Sequence, residues 1–174
     1  MRRLRINPRR STVVVEARSN VGPIAWEGAG PTGEFTFSWS DGEIERTPAP
    51  SGWLELRLES LRSGNQVYDS ELLRRVDAHR YPVARVELDE IGERAPDGTW
   101  PASGTLLFHG VTRQLTGHLE IDVRDDGSVL ATGSHAVDIR DFGLPAPTML
   151  MLQVYPDIRV YLVVDGDPVA DDRD

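Results

Sequence analysis

The sequence predicts a mainly β protein: a single antiparallel barrel of about eight strands, with one helix at about residues 68–78 closing an end. Three observations carry this. Apolar residues recur at every second position through most of the chain, the period of half-buried strands. Asp-Gly pairs at 41–42, 97–98 and 126–127 supply turns between such runs. A single window departs from period two and follows helical spacing.

Taken in order, "INPRRSTVVVEAR" holds the first apolar run, Val13-Val14-Val15. "EFTFSW" alternates Phe35, Phe37 and Trp39 with polar partners, and "WLELRLES" does the same with Leu54, Leu56 and Leu58. "YDSELLRRVDAHRYP" then sets Tyr68, Leu72, Leu73 and Val76 on one helical face; Asp69 or Ser70 can cap its start and Pro82 prevents its continuation. Alternation resumes through Val86 and Leu88, through Leu115, Gly117, Leu119, Ile121 and Val123, through Val129 to Ile139, and through Ile158 to Val164. One helix among antiparallel strands reads as a lid on a barrel. In this reading residues 1–174 form one domain, with the basic segment 1–10 and the acidic segment 166–174 flexible.

Composition removes several function classes. With no cysteine there is no disulfide and no thiolate chemistry. All 19 basic residues are arginine, so a Schiff-base, P-loop or kinase lysine is excluded. The net charge is −9, yet residues 1–10 contain five arginines and no acid, which leaves −14 on the rest. Such a body repels phosphate backbones, and no nucleic-acid partner is expected. No run approaches the roughly 18 apolar residues of a membrane span, so stable membrane insertion is not expected either. The basic start lacks the long apolar stretch of an export signal, which makes the cytoplasm the default location. The four histidines lack metal-ligand spacing; no metal and no cofactor are expected.

"GAGPTG" at 28–33 matches a dinucleotide-binding pattern, but a strand pattern follows where a helix is needed, and a glycine-rich hairpin loop is the better reading. Asp141-Phe142-Gly143 lacks the lysine that a kinase requires. His109-Gly110-Val111-Thr112-Arg113 admits two readings, a catalytic loop or a tight turn. Strand patterns on both sides and the backbone freedom of Gly110 favour the turn, with Arg113 placed to tie the hairpin to a carboxylate. Asp77 is expected to meet an arginine. His118 falls on the polar side of its strand and His135 on the apolar side, which requires a three-residue or bulged turn between them.

The same stretch resembles a known family. "GTLLFHGVTRQLTGHLEI" is similar to the G-x-L-T-(I/L)-x-G-V-T-(R/K) hairpin of the YceI-like family. "LRLESLRSGNQVYDSELLRRVDAHRYPVARVEL" resembles its S-L-x-T-G-N-x-x-x-D-x-x-L segment and the following Y-P strand, and Asp141-Phe142-Gly143-Leu144 resembles its D-F-G corner. The anchors run in the family's order from about residue 6 to residue 164. The chain departs at Leu107, where threonine is usual, and at Ile139, where arginine is usual. The resemblance implies a lipocalin-like barrel holding a long isoprenoid or similar amphiphile, without catalysis.

Strand alternation turns Phe35, Phe37, Leu56, Leu58, Val86, Leu88, Leu119 and Ile121 inward as a ligand lining. His135 and Arg140 are the candidates for a head-group contact at the mouth. No residue is assigned a catalytic role. Two alternatives stay open: a barrel filled by its own side chains that acts through a partner or in a stress response, and a hydrolase or isomerase using His109 or His135. A homodimer also stays open.

Overall fold

The computed structural model describes residues 1–146, 148–149 and 152–170; the last part of the expected acidic tail, 171–174, lies outside the described residues. The wall is a closed ring of eight antiparallel strands. The first strand comprises Arg2–Ile6 and Thr12–Ser19, the second Gly22–Ala29 and Thr32–Ser40, and the third Ser51–Arg57 and Leu61–Arg62. Val83–Ile91, Trp100–Phe108, Val111–Val123, Val129–Asp138 and Leu152–Pro168 are the fourth to eighth. Each pairs with its chain neighbours, and the eighth pairs with both pieces of the first, so the meander closes with no free edge. Outside the ring, Glu43–Glu45 adds to the second strand and Thr148–Met149 to the eighth.

Three neighbouring strands are interrupted at matching heights. Thr12 pairs with Ala29 and Arg5 with Glu34, so the excursion 7–11 in the first strand faces the break at Gly30-Pro31 in the second. Gly28 pairs with Leu61 and Thr32 with Glu55, so that break in turn faces the 3-10 turn Leu58–Ser60 in the third. The glycine-rich stretch is therefore a kink inside one wall strand, with Gly30 at φ 74°, and not a hairpin loop.

Residues 1–10 are likewise not a free end. Leu4 and Ile6 are buried, while Arg3 and Arg5 lie outside on Glu34 at 2.8 and 3.3 Å. The excursion covers Asp165, which alternation turns away from the interior. Burial pushes its carboxyl pKa up, but hydrogen bonds from Arg10 (2.9 Å) and Arg124 (3.0 Å) outweigh this and hold it below the usual range. Ser11 Oγ accepts from Asp165 N at 2.9 Å and so bridges the interrupted ladder.

The helix spans Gln66–Arg75, about half a turn earlier at its start than expected. Its cap is Asn65, whose Oδ1 accepts from Val67 N and Tyr68 N; Asp69 is buried instead and accepts from Ser63 Oγ at 2.7 Å. Asp77 meets no arginine among the described contacts. It lies past the helix at φ 49°, where Ala78 N donates to Leu73 O and closes the C-terminus.

His109 and Gly110, at φ 52° and 71°, form the two-residue tip between the fifth and sixth strands, with Phe108 paired to Val111. Both central residues are left-handed, as a type I′ hairpin requires. His109 Nδ1 lies 3.1 Å from Phe142 O, its ring packs on Tyr81 at 4.8 Å, and Phe108 meets Phe142 edge-on. Arg113 finds no carboxylate; it is exposed and donates to Thr112 O. Five motif residues thus serve one structural corner at the helix end of the barrel.

Candidate functional site

Inward alternation from all eight strands surrounds a cavity of about 630 Å³, within the 300–1,000 Å³ of typical ligand sites. One end is sealed by Leu4, Phe37, Ile44, Ile91, Trp100 and Val129, a buried cluster in which Trp100 is 1% exposed. At the other end Leu72 and Val76 of the helix segment lie over the opening beside Leu144. The outward face is charged, with pairs such as Arg18–Asp157 and Arg85–Glu87. That is the reverse of a membrane barrel, whose outer band is apolar. Among the described residues no helix is long and apolar enough to cross a membrane.

All eight apolar residues expected in the lining (Phe35, Phe37, Leu56, Leu58, Val86, Leu88, Leu119 and Ile121) are among those around the cavity, and so is His135. Arg140 is not. It lies in the 3-10 turn Ile139–Phe142, where it is exposed and clamps Asp138 at 2.7 Å. That bond raises the arginine's pKa and lowers the aspartate's.

Sequence reasoning missed Ile6, Val13, Val15 and Trp26, which line the cavity, the last three packed in the cluster that includes Val76. For Val13 and Val15 the signal was present in "TVVVEARS" as alternation through Ala17. For Trp26 it was masked by the glycines that follow.

The turn between His118 and His135 has a three-residue tip, Asp125–Gly127, closed by Arg124 N donating to Ser128 O at 2.9 Å. The paired ladder runs from Val123–Val129 to Leu119–Gly133 and stops there. Two residues beyond it Gly117, not His118, lies toward His135, whose Nδ1 is 3.8 Å from where a Cβ at Gly117 would stand. His118 faces outward and is exposed. No carboxylate hydrogen-bonds His109 or His135 among the described residues, so neither has the base–acid pairing of a catalytic dyad. No group of three or more histidine, aspartate or glutamate side chains among them is placed to hold a metal.

A closed meander barrel around one enclosed apolar space, capped by a helix, places the protein in the class of lipocalin-like barrels. The chain belongs to the YceI-like family: residues 4–165 match the YceI-like domain. Solved structures share the fold. The crystal structure of Burkholderia cenocepacia BcnA superposes with a TM-score of 0.79 at 13% identity, over 92% of this chain and 98% of that one. A polyisoprenoid binding domain from Saccharophagus degradans, implicated in plant cell wall breakdown, gives 0.76 at 15% identity, over 95% and 98%. The Campylobacter jejuni YCEI protein gives 0.59 at 16%, over 80% and 82%. No curated protein matches the chain.

Proposed function

We propose that this protein binds a long-chain apolar amphiphile, a polyisoprenoid or similar lipid, inside the barrel, as a carrier or store and without catalysis. The observation that supports this most is the cavity of about 630 Å³, lined almost wholly by aliphatic and aromatic side chains. Each methylene moved from water into such a lining contributes about 0.8 kcal/mol, which rewards chain length. A sugar or nucleotide would lose several hydrogen bonds there and gain few. A barrel packed solid by its own side chains would leave no such space, which favours the carrier over the filled barrel. The polyisoprenoid binding named for the Saccharophagus degradans domain, similar in fold, lends the ligand class further support.

The test is displacement of a fluorescent apolar probe by prenyl and fatty alcohols of increasing length. Affinity is expected to rise with length until the cavity is full. Flat affinity from short to long chains would refute the reading.

A further inference from the structure

Alternation turns one imidazole into the cavity wall. His135 is half-buried, pairs with Val160 on the eighth strand, and lies two residues beyond Leu119–Gly133, the last pair of the sixth-to-seventh ladder, on the side of Gly117. A Cβ at Gly117 would meet only His135 Nδ1, at 3.8 Å. One ring nitrogen therefore faces a recess that no side chain fills. Among the described residues neither nitrogen of this ring has a hydrogen-bond partner, whereas His109 has Phe142 O at 3.1 Å. A polar nitrogen facing an apolar cavity is costly until something supplies its partner.

The recess lies three residues from the helix end of Val129–Asp138, about 10 Å below the rim at roughly 3.3 Å per residue. Below it the inward side chains of that strand, Ala131 and Val129, are apolar down to the seal. Among the described residues the arginines bordering the cavity are Arg74 and Arg75, on the helix. Arg74 holds Glu71 at 2.7 Å; Arg75 lies 3.6 Å from Glu71 and donates to Thr148 O, while its buried Nε has no hydrogen-bond partner among the described residues. A formal anion at the recess would be desolvated there, with both arginines up on the helix beside Glu71. A neutral oxygen matches an imidazole, which both donates and accepts.

We propose that His135 and the recess at Gly117 seat a neutral oxygen of the ligand, a hydroxyl or carbonyl, within the wall. The apolar chain then runs toward the sealed end. This rests on the binding reading above and narrows it to neutral, oxygen-bearing lipids over bare hydrocarbons and lipid phosphates.

The experiment measures displacement of the apolar probe by three lipids of one skeleton: prenyl alcohol, prenyl hydrocarbon and prenyl monophosphate. The wild-type protein is expected to favour the alcohol over the hydrocarbon by roughly three- to tenfold, the range of one net hydrogen bond. His135→Phe should abolish that preference while keeping hydrocarbon affinity. Gly117→Ala, whose methyl enters the recess at ordinary contact distance, should reduce the preference in a fully folded protein. Imidazole nitrogen resonances of His135 should move with the alcohol and not with the hydrocarbon. Equal affinity for alcohol and hydrocarbon, a preference that survives both variants, or a His135-dependent preference for the phosphate would each overturn the proposal. If none of the three displaces the probe, the binding reading falls and takes this one with it.

Discussion

At one end of the barrel Phe37, Ile44, Ile91 and Trp100 interdigitate into a plug whose members are each less than a tenth exposed. At the other end a ten-residue helix crosses the opening, and within Gln66–Arg75 only Asp69 is buried, a polar residue tied to Ser63. The plug is core, and its loss would expose apolar surface built into the fold. The helix is a closure: Tyr68, Leu72 and Leu73 are only partly buried, and with Val76 just past its end they rest on the apolar residues beneath. Elements with few buried apolar groups open locally at lower free energy than the core. The two ends should therefore answer differently to substitution, one through stability and the other through binding.

The largest effect is expected at the plug. Trp100→Ala should lower the unfolding free energy by about 3–5 kcal/mol, measured by urea denaturation. A loss under about 1 kcal/mol would mean that this end collapses freely and is no different from the other. At the helix, Leu72→Asp should weaken apolar-probe affinity about tenfold or more, because it sets an unpaired charge over the cavity, with a stability loss of only about 1–2 kcal/mol. Equal losses of stability at both ends would break the distinction.

Asp165 sharpens the comparison from the wall. Its pKa is lowered in the fold, so its contribution is fully present above the unfolded value of about 3.9 and is lost as pH falls through the folded value. Wild-type stability should decline below about pH 4. Asp165→Asn should cost about 1–3 kcal/mol at pH 7 and flatten that decline. An unchanged acid slope in the variant would remove Asp165 from the account. The smallest effect is expected at Arg113, which is exposed and bound only to a neighbouring carbonyl. Arg113→Ala should stay within about 0.5 kcal/mol of wild type in thermal unfolding.

The lining was legible because period two in a closed barrel has one meaning: every second residue faces the interior. Phe35 and Ile121 needed no knowledge of strand partners to be placed. Where register or partner decides, the sequence is silent. "GAGPTG" carries the same local signal whether the chain reverses or kinks, and only the pairing of Thr12 with Ala29 and Arg5 with Glu34 distinguishes them. Arg2–Ile6 was hidden because its outward positions are arginines, which read as a solvated end until Glu34 is brought beside them. Arg140 was named for the mouth, but in the 3-10 turn its partner is Asp138, which no local pattern announces.

The aligned interruptions at 7–11, 30–31 and 58–60 have a mechanical consequence. Staves four to seven run unbroken from seal to rim, but the first three are jointed along one line across the grain. A tube with such a crease has its strand breaks gathered on one flank. Rotation about the crease would widen the bore while leaving intact the fifth-to-sixth ladder, which pairs without a break from Trp100 to Phe108.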